Sequence, residues 1–549
     1  AAKKKDDDEK KEDEKKDEDK PEDKPEDVPD DKKEAKSEEK KPEGPSVDLE
    51  GIEQRILGLP VGAGQYSGLE CSKSALLYIE SGEGDAGTEL KSFSFDDRKP
   101  KSVAKEVSLF RVSADGKSLL FRSKEEWSIM AADGKDKKVL AVGGVKVRVD
   151  PAQEWPQILR EVWRIQRDYF YDPGMHGVDW KAMWERWSAF LPHVRHRSDL
   201  NVVIGEMMGE LCCGHEYVDG GAMPDAPKGA SVGLLGADIE VADGKYRIAR
   251  IYRGQNWDAE LRSPLTEPGV DAREGDYVVS VNGAPLAPPT NFYAAFVDLA
   301  DKQVELVLSS KADGSEPRTM KVVPLSKDGP LRQQAWIEAN RARVTEMSGG
   351  RLAYVYMPDT GGEGLESFTR DWFSQVDRQG VILDERYNRG GKVADYVIDV
   401  LSRDVMCYWF NREGWLARTP FGTIQGPKVM VVNERAGSGG DAMPWMFQHE
   451  KLGPLVGTRT WGGLVGISGY PALMDGGSVT SACFGIVDPE GSWVVENVGV
   501  TPDYEVVEWP EEVIAGRDPQ LEKAVQVALE MLEENPPPKR PGWKPPTPR

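Results

Sequence analysis

The sequence predicts a multidomain protein of the α+β class. Its 549 residues are too many for one hydrophobic core, since domains usually hold roughly 100–200 residues. The spacing of apolar residues changes from strand-like to helical near residue 150, and strands alternate with helices after Gln333. The formal net charge of −23 argues against nucleic-acid binding as the main function.

Residues 1–47 predict a disordered, charged linker. They contain 20 acidic residues and 14 lysines, and too little apolar surface to offset the entropy of ordering. A solvated spacer is favoured over a partner-binding tail. Residues 48–150 instead show short strand-like apolar runs separated by Asp-Gly turns such as Asp115-Gly116. This pattern is typical of β-propeller blades, and the length suffices for about two four-stranded blades.

Residues 151–227 predict a helical subdomain. Apolar residues recur at helical spacing over 154–171 and again over 180–191, and Ser198-Asp199 is expected to cap a third helix that runs towards Leu211. The helical pattern is expected to end before Gly214-His215, directly after that helix.

Residues 228–326 are similar to a PDZ domain. The run Gly-Leu-Leu-Gly at 233–236 resembles a loop that turns backbone N–H groups towards a peptide carboxylate. A Gly-Asp turn, a buried strand and an Asn-Gly turn follow at 275–283. Peptide binding stays open here, because many such domains only pack against their neighbours.

Residues 327–510 predict an α/β subdomain. Its buried strands are expected at 352–356, 380–384 and 428–432, each followed by glycines and a helical stretch. Residues 511–549 predict a helix from Pro519 to about Glu534 and a Pro/Lys-rich tail.

Five cysteines without Cys-x-x-Cys spacing predict reduced thiols that mostly fill cores. The metal-binding, P-loop and Rossmann motifs are missing from the sequence, so we expect neither a metal nor a nucleotide cofactor. No apolar run approaches the ~18 residues of a membrane span, and no membrane association is expected. A cytoplasmic location is predicted, or a periplasmic one if a signal peptide precedes the chain.

Ser438 is the candidate nucleophile. It lies in the run Ala-Gly-Ser-Gly-Gly-Asp at 436–441, between an apolar strand and a helix, where free N–H groups can stabilise a developing anion. The motif alone is equally compatible with a phosphate-binding or structural glycine loop.

A serine nucleophile needs a base, and the sequence has only five histidines. His449 lies eleven residues after Ser438, about 16 Å along a helix, and His215, at a glycine-flanked break, is the best candidate. A single histidine is more often structural. Glu496, an acid in the strand-like run 493–500, could orient the base, although surface exposure is the more common reason for such an acid.

The turn at 384–391 follows a buried strand and ends in two glycines, so the N–H of Gly391 is a candidate oxyanion donor. A serine–lysine dyad is disfavoured, because the only lysine between Ser438 and Val500 is Lys451, beyond the far end of the serine helix.

These pieces, in this order, resemble the core of the tricorn protease family. The most specific runs are Arg-Ile-Gln-Arg-Asp-Tyr-Phe-Tyr-Asp-Pro at 164–173, Gly-Thr-Arg-Thr-Trp-Gly-Gly-Leu-Val-Gly at 457–466 and Glu-Asn-Val-Gly-Val-Thr-Pro-Asp at 496–503. The resemblance runs from about Asp48 to the final helix. It implies terminal propeller blades, a helical subdomain, a PDZ domain and an α/β catalytic subdomain of the ClpP/crotonase-like kind.

The resemblance implies Ser438 as nucleophile, His215 as base, Glu496 as its orienting acid, and the N–H groups of Gly439 and Gly391 as oxyanion donors. It also implies hydrolysis of oligopeptides left by larger proteases, in a homo-oligomer that looks like a hexamer.

Two positions depart from the family pattern. Gly214 stands where the family has a serine that links the glutamate to the histidine, and Trp409 stands where an aspartate favours basic substrates. An apolar or aromatic preference is therefore expected. Two rival functions remain: a catalytically silent peptide-binding scaffold, and a hydrolase of non-peptide esters.

Overall fold

The structure is a computed structural model that describes residues 48–82, 87–223, 227, 229–539 and 542. The linker predicted for residues 1–47 lies outside the described residues. The chain divides into two compact units, one ending at Val147 and the other beginning at Arg148.

The first unit contains two four-stranded antiparallel sheets, each with its strands in chain order. One sheet consists of β1 (Gln65–Cys71), β2 (Ala75–Ser81), β3 (Thr88–Ser94) and β4 (Lys99–Lys105). The other consists of β5 (Val107–Val112), β6 (Ser118–Ser123), β7 (Glu126–Ala131) and β8 (Lys138–Val139). Leu77, Leu90, Phe110 and Phe121 share one buried core. The number and order of strands agree with the sequence-based expectation, and their assignment as propeller blades stays a prediction.

The second unit begins with three helices, α1 (Pro151–Tyr169), α2 (Trp180–Ser188) and α3 (Arg197–Gly209). Asp150 caps α1 by accepting the N–H of Ala152, and Pro151 occupies the first turn, where its missing N–H is tolerated. α3 has His196 as its cap, two residues before the predicted cap at Ser198-Asp199. The carboxylate of Asp199 reaches back to the N–H of His196 instead of starting the helix. A short strand, β9 (Val218–Asp219), follows.

The next domain is a six-stranded sheet in the order β10-β11-β12-β14-β15, with β13 paired to β12. Its strands are β10 (Ala237–Ala242), β11 (Lys245–Ile251), β12 (Tyr277–Val281), β13 (Ala284–Pro285), β14 (Val304–Ser309) and β15 (Arg318–Val322). Ile248, Val278, Phe296 and Leu306 lie in its core.

The remaining chain forms an α/β domain around a parallel sheet in the order β16-β17-β20-β21-β24. Its helices are α4 (Gly329–Met347), α5 (Gly362–Phe373), α6 (Ala394–Ser402), α7 (Gly439–His449), α8 (Pro510–Ile514) and α9 (Pro519–Glu534). Its sheet strands are β16 (Leu352–Tyr356), β17 (Gly380–Asp384), β20 (Lys428–Val432), β21 (Leu455–Gly457) and β24 (Tyr504–Glu505). A hairpin of β18 (Cys407–Phe410) and β19 (Leu416–Thr419) and a second pair, β22 (Gly466–Gly469) and β23 (Ser478–Phe484), complete it.

Both faces of the parallel sheet are buried, as parallel sheets require. One face packs on Phe368 and Trp372 of α5, and the other on Leu521 and Val525 of α9. The three predicted strands and the predicted last helix coincide with β16, β17, β20 and α9. β23 pairs with β9, so the α/β domain and the helical segment share a small sheet.

Helix α4 covers the first turn of the PDZ-like domain. Gly236 has a φ of +64°, and a Cβ added there would lie 2.7 Å from Cδ2 of Leu331. Arg332 pairs with Asp238 of β10 at 2.7 Å. A side chain of α4 therefore occupies space beside the loop that the sequence analysis associated with peptide carboxylates.

All five cysteines are free, as predicted. The prediction that they mostly fill cores is wrong, because Cys71, Cys212 and Cys407 are exposed. They lie at strand ends or in turns, where the chain runs along the surface. Within the described residues, none of the helices has the length and apolar character needed to cross a membrane.

Candidate active site

Ser438 lies in the turn that joins β20 to α7. Its backbone has φ 58° and ψ −116°, a conformation that side-chain-bearing residues rarely adopt. Its N–H donates to Oδ2 of Asp441 at 2.9 Å, which holds the turn against this strain. The residue is partly exposed and directly precedes α7. In the first turn of this helix the N–H groups of Gly440 and Asp441 donate to the carbonyls of Gly437 and Ser438, at 2.8 Å each.

Asp441 is the buried anchor of this turn. Besides the Ser438 N–H, its carboxylate accepts hydrogen bonds from Oγ1 of Thr460 at 2.5 Å and from the N–H groups of Gly462 at 2.8 Å and Gly463 at 3.1 Å. Burial raises the pKa of Asp441, and these hydrogen bonds oppose the rise. The carboxylate therefore joins the serine turn to the segment at 460–463.

The two candidate oxyanion donors, Gly391 and Gly439, are neighbours in space. A Cβ on Gly439 would lie 2.7 Å from the nitrogen of Gly391, and one on Gly391 would lie 2.2 Å from the carbonyl oxygen of Thr360. Only glycine fits at either position. In the described part of the chain, neither N–H has a hydrogen-bond acceptor. A Cβ on Gly390 would lie 3.1 Å from Oγ of Ser438, which places the serine side chain beside this turn.

His215 lies in the loop between α3 and β9, with φ 62°. Its Nδ1 is 3.0 Å from Oη of Tyr217. Its Nε2 is buried and has no hydrogen-bond partner among the described residues. Burial lowers the pKa of His215, while the negative charges of Glu496 and Asp441 and a contact with the backbone of Gly463 oppose this shift.

Trp461 lies between the serine turn and the histidine. Its ring meets the ring of His215 edge to face, with centroids 5.1 Å apart. A Cβ on Gly437 would lie 2.5 Å from this indole, and one on Gly463 would lie 2.3 Å from it. The glycines on both sides therefore make room for the indole. Across the described residues, Ser438 and His215 are joined by shared neighbours and not by a direct hydrogen bond.

Glu496 approaches the histidine loop through the backbone. Its Oε1 accepts the N–H of Gly214 and its Oε2 accepts the N–H of Leu464, both at 2.6 Å. No hydrogen bond between Glu496 and the His215 ring occurs in the described structure. The predicted strand at 493–500 is a turn instead, because Val495 and Asn497 have φ of 71° and 61°, which breaks extended pairing.

Trp409 lies on the β18–β19 hairpin. Its side chain is 64% exposed, and its indole N–H donates to Oγ1 of Thr419 at 2.8 Å. No hydrogen bond or ring contact joins it to Ser438, His215 or Glu496 within the described residues. Its predicted role in substrate preference stays a prediction.

The sequence analysis missed Asp441, Trp461 and Tyr217. Asp441 had a usable signal, because an acid three residues after a turn serine is the pattern of a capping box. Trp461 also had a usable sequence signal, because glycines near an aromatic residue are typical of a ring that packs directly against the backbone. Tyr217 lies two residues after the candidate base, but only the fold shows that its hydroxyl meets the ring.

Three family models match consecutive parts of the chain. Residues 151–209 match the tricorn protease C1 domain, residues 233–327 the tricorn protease PDZ domain, and residues 351–506 peptidase family S41. Tricorn protease homolog 1 of Streptomyces coelicolor is 36% identical over 514 residues, which cover 89% of this chain and 48% of that protein. The tricorn protease of Thermoplasma volcanium is 31% identical over 508 residues, covering 90% of this chain and 49% of that protein.

A crystal structure of the tricorn protease superposes with a TM-score of 0.80 at 29% identity, covering 86% of this chain and 47% of that chain. The chain thus spans about half the length of the relatives it matches. The protein folds as a helical segment, a PDZ-like sheet and a parallel α/β sheet, which is the order of the three matched domains. The chain belongs to the tricorn protease family, of which it carries the C1, PDZ and S41 peptidase domains.

Proposed function

We propose that this chain is a tricorn-type serine peptidase that hydrolyses oligopeptides, with Ser438 as its nucleophile. The observation that carries the proposal is the pair of unused N–H groups on Gly391 and Gly439, held side by side next to the serine side chain. Two donors fixed beside a nucleophile suit the oxyanion of an acyl-transfer intermediate. Membership of the S41 peptidase family supports the same reaction.

We infer the course of the reaction from these positions. Oγ of Ser438 attacks the peptide carbonyl carbon, and its proton passes to Nε2 of His215, which has no other partner. The carbonyl oxygen becomes an anion that accepts hydrogen bonds from Gly391 and Gly439. The imidazolium then protonates the leaving amine, and water attacks the acyl-enzyme with His215 again as base.

In this mechanism Glu496 acts on the histidine loop, since its carboxylate binds the N–H of Gly214. Its negative charge also favours the imidazolium. The hydroxyl of Ser438 has to turn towards Nε2 when substrate binds, as catalytic hydrogen bonds often tighten only in the substrate complex.

The finer features of the family remain predictions for this chain. They are oligopeptide substrates, a hexameric assembly, an apolar or aromatic preference set by Trp409, and a cytoplasmic location. A panel of fluorogenic peptides that differ in the residue before the cleaved bond tests the preference, and light scattering of the purified protein tests the assembly.

Labelling with a fluorophosphonate tests the nucleophile. We expect Ser438 to be modified, and Ser438→Ala to abolish both labelling and peptide turnover. Ser188→Ala, which removes a hydroxyl on α2, serves as the control and should keep both. Peptide turnover that survives in Ser438→Ala would refute the assignment.

A silent peptide-binding scaffold is the second candidate. It is favoured by the lack of hydrogen bonds from Ser438 to His215 and from His215 to Glu496 in the described residues. It predicts a folded protein in which no serine reacts with the fluorophosphonate. Labelling of Ser438 without peptide turnover would instead point to non-peptide esters as substrates.

A further inference from the structure

The imidazole of His215 has an oxygen partner that comes from its own loop. Oη of Tyr217 lies 3.0 Å from Nδ1, and the two rings are 5.8 Å apart at 66°. A base that takes a proton at Nε2 needs its other nitrogen, Nδ1, to carry hydrogen and to donate it to an acceptor. The phenolic oxygen of Tyr217 stands where that acceptor belongs.

The backbone of the loop is held firmly, so this contact is not accidental. Thr480 of β23 donates its hydroxyl to the carbonyl of His215 at 2.6 Å and accepts the N–H of Tyr217 at 2.8 Å. The side chain of Glu216, between them, points the other way and binds the N–H of Ala482 and the amide of Gln166. His215 and Tyr217 therefore project on the same side of the loop.

The carboxylate that could have served Nδ1 is committed elsewhere. Each oxygen of Glu496 accepts a backbone N–H at 2.6 Å, one from Gly214 and one from Leu464. Gly214 has no side chain to relay a hydrogen bond from this carboxylate to the ring. A Cβ at 214 would lie 3.2 Å from Oε1 of Glu496, so the carboxylate lies close to the backbone.

We propose that Tyr217 is the positioning residue of the catalytic base: its hydroxyl oxygen accepts the Nδ1–H of His215 and fixes the tautomer whose Nε2 is free to take the proton of Ser438. This rests on the proposed function. Tyr217 is 49% exposed, so its own O–H can donate to solvent while the oxygen accepts from the ring. Burial raises the pKa of Tyr217, which keeps the phenol neutral.

A neutral acceptor orients the ring but adds no negative charge beside it. The charged groups that do act on His215 are Glu496, on the turn at 495–498, and Asp441, on α7. From the neighbouring segment, the uncharged ring of Trp461 packs against the imidazole. A contact with the backbone of Gly463 acts to raise the pKa of His215. Loss of the Tyr217 hydroxyl removes the acceptor that stabilises the protonated ring, so the pKa of His215 falls.

The test is nitrogen NMR of the full chain with selectively ¹⁵N-labelled histidine. Five histidines give few signals, and the spectrum of His215→Gln identifies the one from His215. We expect the Nδ1–H tautomer in the wild type, and in Tyr217→Phe a mixture of tautomers with a lower pKa of His215. An Nε2–H tautomer in the wild type, or a tautomer and pKa unchanged in Tyr217→Phe, would overturn the proposal.

These spectra do not depend on peptidase activity, so the inference and the proposed function can fail separately. In kinetics, Tyr217→Phe should lower kcat about tenfold, the effect of losing one hydrogen bond of modest net strength, with KM unchanged. The acid limb of the pH profile of kcat/KM should move to lower pH in Tyr217→Phe. Tyr246→Phe, which removes a hydroxyl bound to the carbonyl of Thr290 in the PDZ-like domain, is the matched control. A Tyr217→Phe enzyme with the wild-type kcat and pH profile contradicts the positioning role even where Ser438 is confirmed as nucleophile.

Discussion

The carboxylate of Asp441 holds the backbone of Ser438 at 2.9 Å while it binds the segment at 460–463 from the other side. Since Trp461 of that segment touches the ring of His215, Asp441 positions both halves of the candidate site. We expect a structural role for Asp441, because it contacts the turn of the proposed nucleophile and the segment that packs against the proposed base.

Asp441→Asn should therefore impair both stability and activity. The amide nitrogen of asparagine cannot accept a hydrogen bond, so at least one of the four donors now paired with Asp441 loses its partner. A buried unpaired donor costs about 1–3 kcal/mol of unfolding free energy. Urea denaturation measures the loss, and Asp395→Asn, at the exposed start of α6, is the control. Unchanged urea midpoints and turnover in Asp441→Asn would contradict this role.

Gly391→Ala tests the oxyanion site. The new Cβ would lie 2.2 Å from the carbonyl of Thr360, so the turn must move and carry its N–H away from Ser438. Loss of one oxyanion donor typically lowers kcat by about 10²–10³-fold. Gly275→Ala also places alanine at an unfavourable positive φ, +92°, but has no atom within 4 Å of its Cβ, so it controls for backbone strain without a steric clash. Equal kcat in the two variants would count against Gly391 as a donor.

Glu216 should make stability depend on pH. Burial raises its pKa from 4.5 to about 7, so between these values the folded chain holds a proton that the unfolded chain has released. Stability from this group is therefore greatest below pH 4.5 and falls as pH rises towards 7, by on the order of 1–3 kcal/mol. Glu216→Gln should reduce the difference between urea midpoints at pH 5 and pH 8, whereas Glu206→Gln, exposed on α3, should not.

The acid limb of kcat/KM should lie below pH 6.5. The pKa of His215 is lowered from 6.5 by burial, and only the neutral ring can take the proton of Ser438. The base therefore stays active at a lower pH than an exposed histidine would. Repeating the pH profile with Glu216→Gln distinguishes titration of His215 from titration of Glu216, whose pKa is raised to about 7. A limb above pH 6.5 in both proteins would show that the ring is not desolvated as the structure has it.

The central strands were predictable because a parallel sheet buried on both faces leaves uninterrupted apolar runs, as in 352–356 and 428–432. The serine turn was predictable for the same reason, since it follows such a run. The strand expected around Glu496 was wrong, because tertiary contacts hold Val495 and Asn497 at positive φ. The three distant donors to the Asp441 carboxylate lie 19 to 22 residues further along the chain. Local sequence patterns do not predict hydrogen bonds over such a separation.

Helix α4 contacts two loops that lie far apart in the sequence. Its first turn fills the space beside Gly236 of the PDZ-like domain, and five residues later the ring of Trp336 meets Tyr387, in the turn that ends at Gly391. A peptide end that entered the PDZ-like loop would have to push Leu331 aside. One helix therefore contacts both the PDZ-like loop and the turn that carries Gly391.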